Sequence, residues 1–179
     1  MNLESDVLKV CISKEEIEKI VSRIAKEIND NYKDKNPLFI CLLKGAVPFM
    51  TDLLKEINVK CSIEYLKVSS YDGIRSTGVL RIDTKIPDVK GKDVIIVDDI
   101  IDTGKTLFEL KKLIQDKGAN TVSIAILLDK PSGRKYDIYA DYIGTLVPNE
   151  FVVGYGLDYN EYYRNLPYIG VLKEEIYKK

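Results

Sequence analysis

Short apolar runs alternate with amphipathic stretches along most of this chain, and that rhythm leaves few folds open. Leu38–Leu43 (LFICLL) follows Pro37, Val94–Val97 (VIIV) follows a Gly91-Lys92 turn, and Val122–Leu128 is a third apolar run. Their lengths suit buried strands. Ser62–Ser69 alternates like a further strand, and Tyr71–Gly78 (YDGIRSTG) reads as a loop. Between the strands, Val47–Ile57 has apolar residues at helical spacing. Thr106–Lys117 places Leu107, Leu110, Leu113 and Ile114 on one helical face and stops at Gly118, a good C-terminal signal. Lys14–Asn31 is another helix, with Ser13 as its cap and Ile17, Ile20, Ile24 and Ile28 as its apolar stripe. Strands alternating with helices predict βαβ units and a mostly parallel sheet, an α/β fold. From Asp141 to Lys179 the rhythm breaks into Tyr-rich, short apolar pieces, so short strands and loops covering one end of the sheet are expected there.

With 179 residues, 45% of them hydrophobic and 31% charged, the chain fits one domain with an ordinary core. A net charge of −1 offers nothing that would hold nucleic acid or a membrane surface electrostatically. No apolar run approaches the roughly 20 residues that span a bilayer. The N-terminus, MNLESDVLKV, lacks the apolar core of a signal peptide. Cys11, Cys41 and Cys61 are odd in number and widely spaced, and Cys41 and Cys61 lie in or beside apolar runs. They read as reduced thiols, the last two buried, of a cytoplasmic protein. The chain has no histidine, which excludes a Ser-His-Asp triad, a histidine base and the common zinc sites.

Ligands of an open parallel sheet bind beyond the carboxyl ends of its strands. Here the VIIV strand is followed at once by Asp98 and Asp99, then by Ile100, Ile101 and Asp102, and Thr103-Gly104-Lys105-Thr106 opens a helix. Consecutive N–H groups at a helix start, with a glycine allowing close approach, form an anion cradle. Carboxylates repel a phosphate while the TGKT turn attracts one. A ligand satisfying both has a phosphate at one end and hydroxyls at the other, as a ribose 5-phosphate does. The 2- and 3-hydroxyls would donate to Asp98 and Asp99, leaving Asp102 near C1. Other readings fit less well. A Walker A loop needs a glycine five positions before Gly104, where this chain has Asp99. The acids of terpenoid synthases lie in long all-helical proteins. A plain capping loop accounts for Asp102 but not for the pair at the strand end.

The segment VIIVDDIIDTGKT resembles the phosphoribosyl-diphosphate signature of the type I phosphoribosyltransferases, and specifically of their hypoxanthine-guanine branch. Three further stretches agree in order: LLKGAVPFM (Leu42–Met50), SSYDGIRSTG (Ser69–Gly78) and FVVGYGLDYNEYYRNLPYIGVL (Phe151–Leu172). The likeness covers roughly Leu38 to Leu172. It implies a twisted, mostly parallel sheet flanked by helices, with a core over about 37–145 and a small hood from about 1–12 and 146–179. It also implies a cytoplasmic homodimer or homotetramer that needs Mg2+. The reaction would join hypoxanthine or guanine to phosphoribosyl diphosphate, giving IMP or GMP. A xanthine preference, or a non-catalytic regulator that senses phosphoribosyl diphosphate, are the alternatives. A regulator binding nucleic acid would need a basic face that this chain lacks.

Roles follow residue by residue from the resemblance. Leu43, Lys44 and Gly45 would form the diphosphate turn, where the family often has a non-proline cis peptide. Ser70 and Tyr71 would close over the diphosphate as a mobile loop. Asp102 would share the purine N7 proton, and Thr103, Gly104, Lys105 and Thr106 would hold the 5-phosphate. Lys130 would donate to a 6-oxo group, Phe151 would stack on the purine, and Val152 would read its edge. Asp158 would serve metal and base, with Asp98 and Asp99 as further metal-side groups, and Arg164 would contact the diphosphate. The family often has Glu where this chain has Asp98, whose carboxylate is one methylene shorter in reach.

Overall fold

The structure, a computed structural model, describes residues 3–69, 81–147 and 149–178. Its strands are β1 (Val7–Ile12), β2 (Leu38–Leu43), β3 (Ser62–Ser69), β4 (Arg81–Ile82), β5 (Asp93–Ile101), β6 (Thr121–Asp129), β7 (Tyr142–Leu146), β8 (Val152–Val153) and β9 (Ile169–Leu172). The helices are α1 (Lys14–Asn31), α2 (Val47–Glu56), α3 (Lys105–Asp116) and the short α4 (Glu174–Tyr177). Six strands form the main sheet in the order β4-β3-β2-β5-β6-β7. All its pairings are parallel except that of β4, which lies antiparallel on β3.

The predicted alternation accounts for this sheet. β2 is buried along nearly all its length, as an apolar run in a parallel sheet must be. From β2 the chain passes through α2 to β3 on one side. β5 returns to the other side of β2 and leads through α3 to β6. The two helices therefore pack on opposite faces. Phe49, Met50 and Leu53 of α2 join α1 in one core with Ile95 and Val97. Leu107, Leu110 and Ile114 of α3 join Val94 and Ile96 in the other. The direction of winding reverses between β2 and β5, and a crevice opens beyond the carboxyl ends of those two strands.

α1 starts with a capping box. Glu16 N–H donates to Ser13 Oγ (3.2 Å) and Ser13 N–H to the Glu16 carboxylate (2.7 Å). Its buried stripe is Ile17, Val21, Ile24, Ala25 and Ile28; Ile20 lies at the margin, only partly buried. The helix is rotated slightly from the predicted face because it packs against both α2 and the sheet.

The tail folds into short strands as expected, and one of them pairs with the N-terminal strand, as the hood of N- and C-terminal segments requires. β9 lies between β1 and β8 in a second, antiparallel sheet, pairing Ile12 with Ile169 and Val153 with Gly170. β1 had no recognisable pattern because Leu8 and Val10 point outward, 62% and 53% exposed. All three cysteines are free. Cys41 is buried, whereas Cys61 is only partly so, because it lies just before β3 rather than within the sheet. Among the described residues, no helix is long and apolar enough to cross a membrane.

Candidate active site

The strand does not stop at Val97. β5 runs on to Ile101, held in register by β6 through Asp98↔Ile126, Ile100↔Leu128 and Ile101↔Asp129. The acids thus sit on the last strand residues rather than on a loop after it, which fixes their backbone. Both are partly buried at the edge of the crevice. Asp98 Oδ1 accepts from Asp99 N–H (3.0 Å), and Asp99 Oδ1 accepts from Ile100 N–H (2.7 Å).

Burial, and then the charge of Asp99, push the Asp98 carboxyl well above its ordinary 3.8. Burial raises Asp99 as well, with Arg164 among the groups that oppose it. Burial raises the nearby Cys41 thiol to about 12, helped by the same two acids, so it is not a nucleophile at neutral pH. A raised folded-state pKa means that the native ligand-free protein binds these protons more tightly than the unfolded chain. The stability this gives is full below the unfolded pKa and is lost as pH rises through the folded one. Asp98→Asn is therefore expected to raise Tm at about pH 8 and change it little at about pH 4. An equal Tm for both proteins at the higher pH contradicts that reading of the pair.

Beyond β5, residues 102–106 turn into α3 and, with Asp98, line a cavity of about 140 Å3. Asp102 does not cap the helix. The N-cap is Gly104, at φ +83° with no side-chain cap, a left-handed conformation that favours glycine. Thr103 Oγ1 accepts weakly from Lys105 N–H (3.4 Å). The first-turn amides are thereby left largely available to an anion. The Asp102 carboxylate lies against Gly133 instead; a Cβ there would meet its Oδ1 at 1.6 Å. Gly133 belongs to the turn after Lys130, and Lys130 N–H donates to the Ile101 carbonyl (3.0 Å). Lys130 and Asp102 thus flank the same corner of the site.

Across the crevice, the Leu43–Lys44 peptide is cis. A Cβ on Gly45 would fall 1.7 Å from Asp99 Oδ2, so the β2 turn and the β5 acids are in direct contact. The C-terminal segment closes the third side. A Cβ on Gly156 would fall 1.9 Å from the Gly45 carbonyl oxygen. Arg164 donates to Gly156 O (2.7 Å) and pairs with Asp158 (2.8 Å), while its buried Nε–H has no partner. Lys44 pairs with Glu161 at 2.8 Å.

The two cations expected to meet diphosphate are thus held here by carboxylates, and Glu161 was not anticipated. Phe151 is 37% exposed and stacks on Tyr177 (4.9 Å), with Tyr159 edge-on (5.7 Å). Val152 lies beside it in β8, buried and paired with Val171. Ser70 and Tyr71 lie outside the described residues. Asp98, Asp99 and Asp158 are not gathered into a ready-made ion cage: among the described residues, no group of three or more carboxylates or thiols is arranged to hold a metal ion.

A family model described as "Phosphoribosyl transferase domain" matches residues 12–160. A hypoxanthine-guanine phosphoribosyltransferase of Streptococcus thermophilus is 49% identical over 179 residues, covering 99% of both chains. A bifunctional protein TilS/HprT of Listeria monocytogenes is 48% identical over 180 residues, and the chain spans 28% of that protein's length. The crystal structure of a hypoxanthine phosphoribosyltransferase from Staphylococcus aureus superposes with a TM-score of 0.95 at 43% identity, covering 99% of this chain and 97% of that one. The chain belongs to the phosphoribosyltransferase family, among the hypoxanthine-guanine phosphoribosyltransferases.

Proposed function

We propose that the protein salvages purines by transferring 5-phosphoribosyl from phosphoribosyl diphosphate to hypoxanthine or guanine, releasing diphosphate and giving IMP or GMP. The observation that carries this reading is the meeting of three segments at the switch between β2 and β5. An uncapped helix start suits the 5-phosphate, two carboxylates suit the ribose hydroxyls, and the Lys44-Gly45 turn with Arg164 suits diphosphate.

In this reading the leaving diphosphate gathers negative charge as its bond to C1 breaks. Lys44 and the unpaired Nε–H of Arg164 stabilise that charge. The developing positive charge on the sugar lies above Asp98 and Asp99. Asp102 takes or shares the N7 proton that the purine must redistribute. Lys130, on the same corner as Asp102, donates to the 6-oxo group and so disfavours adenine, whose 6-amino group is itself a donor. Phe151 offers the ring face not covered by Tyr177, and Val152 reads the purine edge through its backbone.

The Asp98 and Asp99 carboxylates at the crevice edge offer hard oxygens of the kind Mg2+ takes, and Mg2+ fills the rest of its shell from waters and phosphates. Asp98, Asp99 and Asp158 would hold it, and it would supply positive charge to neutralise the phosphates.

We further assign one domain, with a core over about 37–145 and a hood formed by the β1-β9-β8 sheet and its flanks. Outward-facing Leu8, Val10, Ile63 and Tyr65 support a homodimer or homotetramer. Free cysteines support work in the cytoplasm. The test is to supply phosphoribosyl diphosphate and Mg2+ with each base in turn and follow nucleotide formation. Product from hypoxanthine or guanine, with little from adenine, is expected. No product from either oxopurine refutes the proposal.

A further inference from the structure

Asp129, the last residue of β6, is the one buried charged residue among those described. Its partner is Arg134, five residues on, whose guanidinium bonds its carboxylate with both side chains nearly enclosed (13% and 11% exposed). An enclosed ion pair is costly to desolvate, and apolar residues of similar volume often serve stability as well. The remaining donors of Arg134 show what the pair does. Nε–H donates to the Asp102 carbonyl (3.1 Å), NH2 to the Ile101 carbonyl (3.4 Å) and NH1 to the Ile138 carbonyl (2.5 Å). The next carbonyl, that of Thr103, accepts from the N–H groups of Lys135 (3.0 Å) and Tyr136 (3.1 Å).

Each peptide unit is a rigid plane. Holding a carbonyl therefore fixes the direction of the N–H on the next residue. The carbonyl of Ile101 aims the amide of Asp102, that of Asp102 the amide of Thr103, and that of Thr103 the amide of Gly104. The last two of these amides head the phosphate turn. The Arg134 stem also lies under Gly104, where a Cβ would come within 3.0 Å of its Cδ. The neighbouring Gly133 seats the Asp102 carboxylate.

We infer that Arg134, anchored by Asp129, is a positioning residue that aims the Thr103 amide, at the head of the 5-phosphate turn, and Asp102 from behind. It touches no substrate. Only a planar fork reaches Asp129 and three carbonyls at once. A lysine keeps the charge beside Asp129 but cannot hold all three carbonyls. This inference rests on the functional reading above for its kinetics, but not for its phosphate binding.

The experiment compares wild type with Arg134→Lys, Arg134→Gln and Asp129→Asn. It measures Tm, the KM for phosphoribosyl diphosphate, the KM for hypoxanthine and, by calorimetry, the dissociation constant for ribose 5-phosphate. Arg134→Lys should stay folded, with both phosphate-dependent constants raised about tenfold, since misplacement of even an ångström weakens a preorganised site. Its KM for hypoxanthine should change less than about twofold. Arg134→Gln should shift the same constants further, and Asp129→Asn should shift them in the same direction. Variants with a lowered Tm but wild-type phosphate constants would show a purely structural role and overturn the inference. Wild-type protein that makes no nucleotide would instead refute the transferase reading, while its ribose 5-phosphate affinity would still report on Arg134.

Discussion

Asparagine in place of Asp102 is expected to cut turnover by about 10²- to 10⁴-fold, the range that a positioned proton acceptor contributes. The fold should survive. Asp102 is exposed, does not cap α3, and rests on Gly133 rather than inside either core. Asparagine has the same shape, so it keeps that seat and loses only the ability to take a proton. The backbone around it is held by Lys130 and Arg134, so the Thr103–Thr106 turn should keep its geometry. The KM for phosphoribosyl diphosphate should accordingly move far less than turnover. Steady-state kinetics with a melting curve on the same preparation check both parts. Wild-type turnover in a folded Asp102→Asn protein would remove Asp102 from the proton pathway.

The second large effect is expected at Gly156. Its φ is +100°, which side-chain-bearing residues rarely adopt, and an alanine Cβ would lie 1.9 Å from the Gly45 carbonyl oxygen. That obstacle is backbone, so it cannot turn aside. Gly156→Ala must either distort its own loop or push the Lys44-Gly45 turn, which already touches Asp99. Left-handed strain and overpacking together should cost about 2–4 kcal/mol. The loop has little freedom to absorb this, because Arg164 holds the Gly156 carbonyl and Tyr155 donates to Asp52 (2.7 Å) on α2. Denaturant unfolding should show the loss of stability. Kinetics should show a raised KM for phosphoribosyl diphosphate if the Lys44-Gly45 turn holds diphosphate as proposed, because that turn is what the new methyl displaces. A variant as stable as wild type with unchanged KM would mean that the two loops are not packed as described.

Local pattern carried most of the fold. The apolar runs of β2, β5 and β6 and the stripes of α1 and α3 need only their own residues to be recognised, and all five form. The grouping of Asp98 with the turn up to Thr106 was readable for the same reason: they are adjacent in sequence, and they line one cavity. Long-range features were hidden from local pattern, and only the family resemblance brought the two termini together. β1 pairs with β9 across more than a hundred residues, and its outward Leu8 and Val10 give it no inside face to detect. The strand's continuation through Asp98 and Asp99 depends on an equally long β6. Arg134 and Asp129 are ordinary charges in the sequence. Only their enclosure and the carbonyls around the guanidinium mark them. Glu161 likewise gave no sign that it would pair with Lys44.

The assignment of parts to this crevice is tested most directly by a crystal structure with IMP bound. The phosphate should lie on the amides of residues 103–106, with the ribose hydroxyls toward Asp98 and Asp99. N7 should face Asp102, the 6-oxo group should meet Lys130 Nζ, and the ring should lie on Phe151. A phosphate bound away from the Thr103–Thr106 turn, or a purine out of reach of both Asp102 and Lys130, would contradict the account.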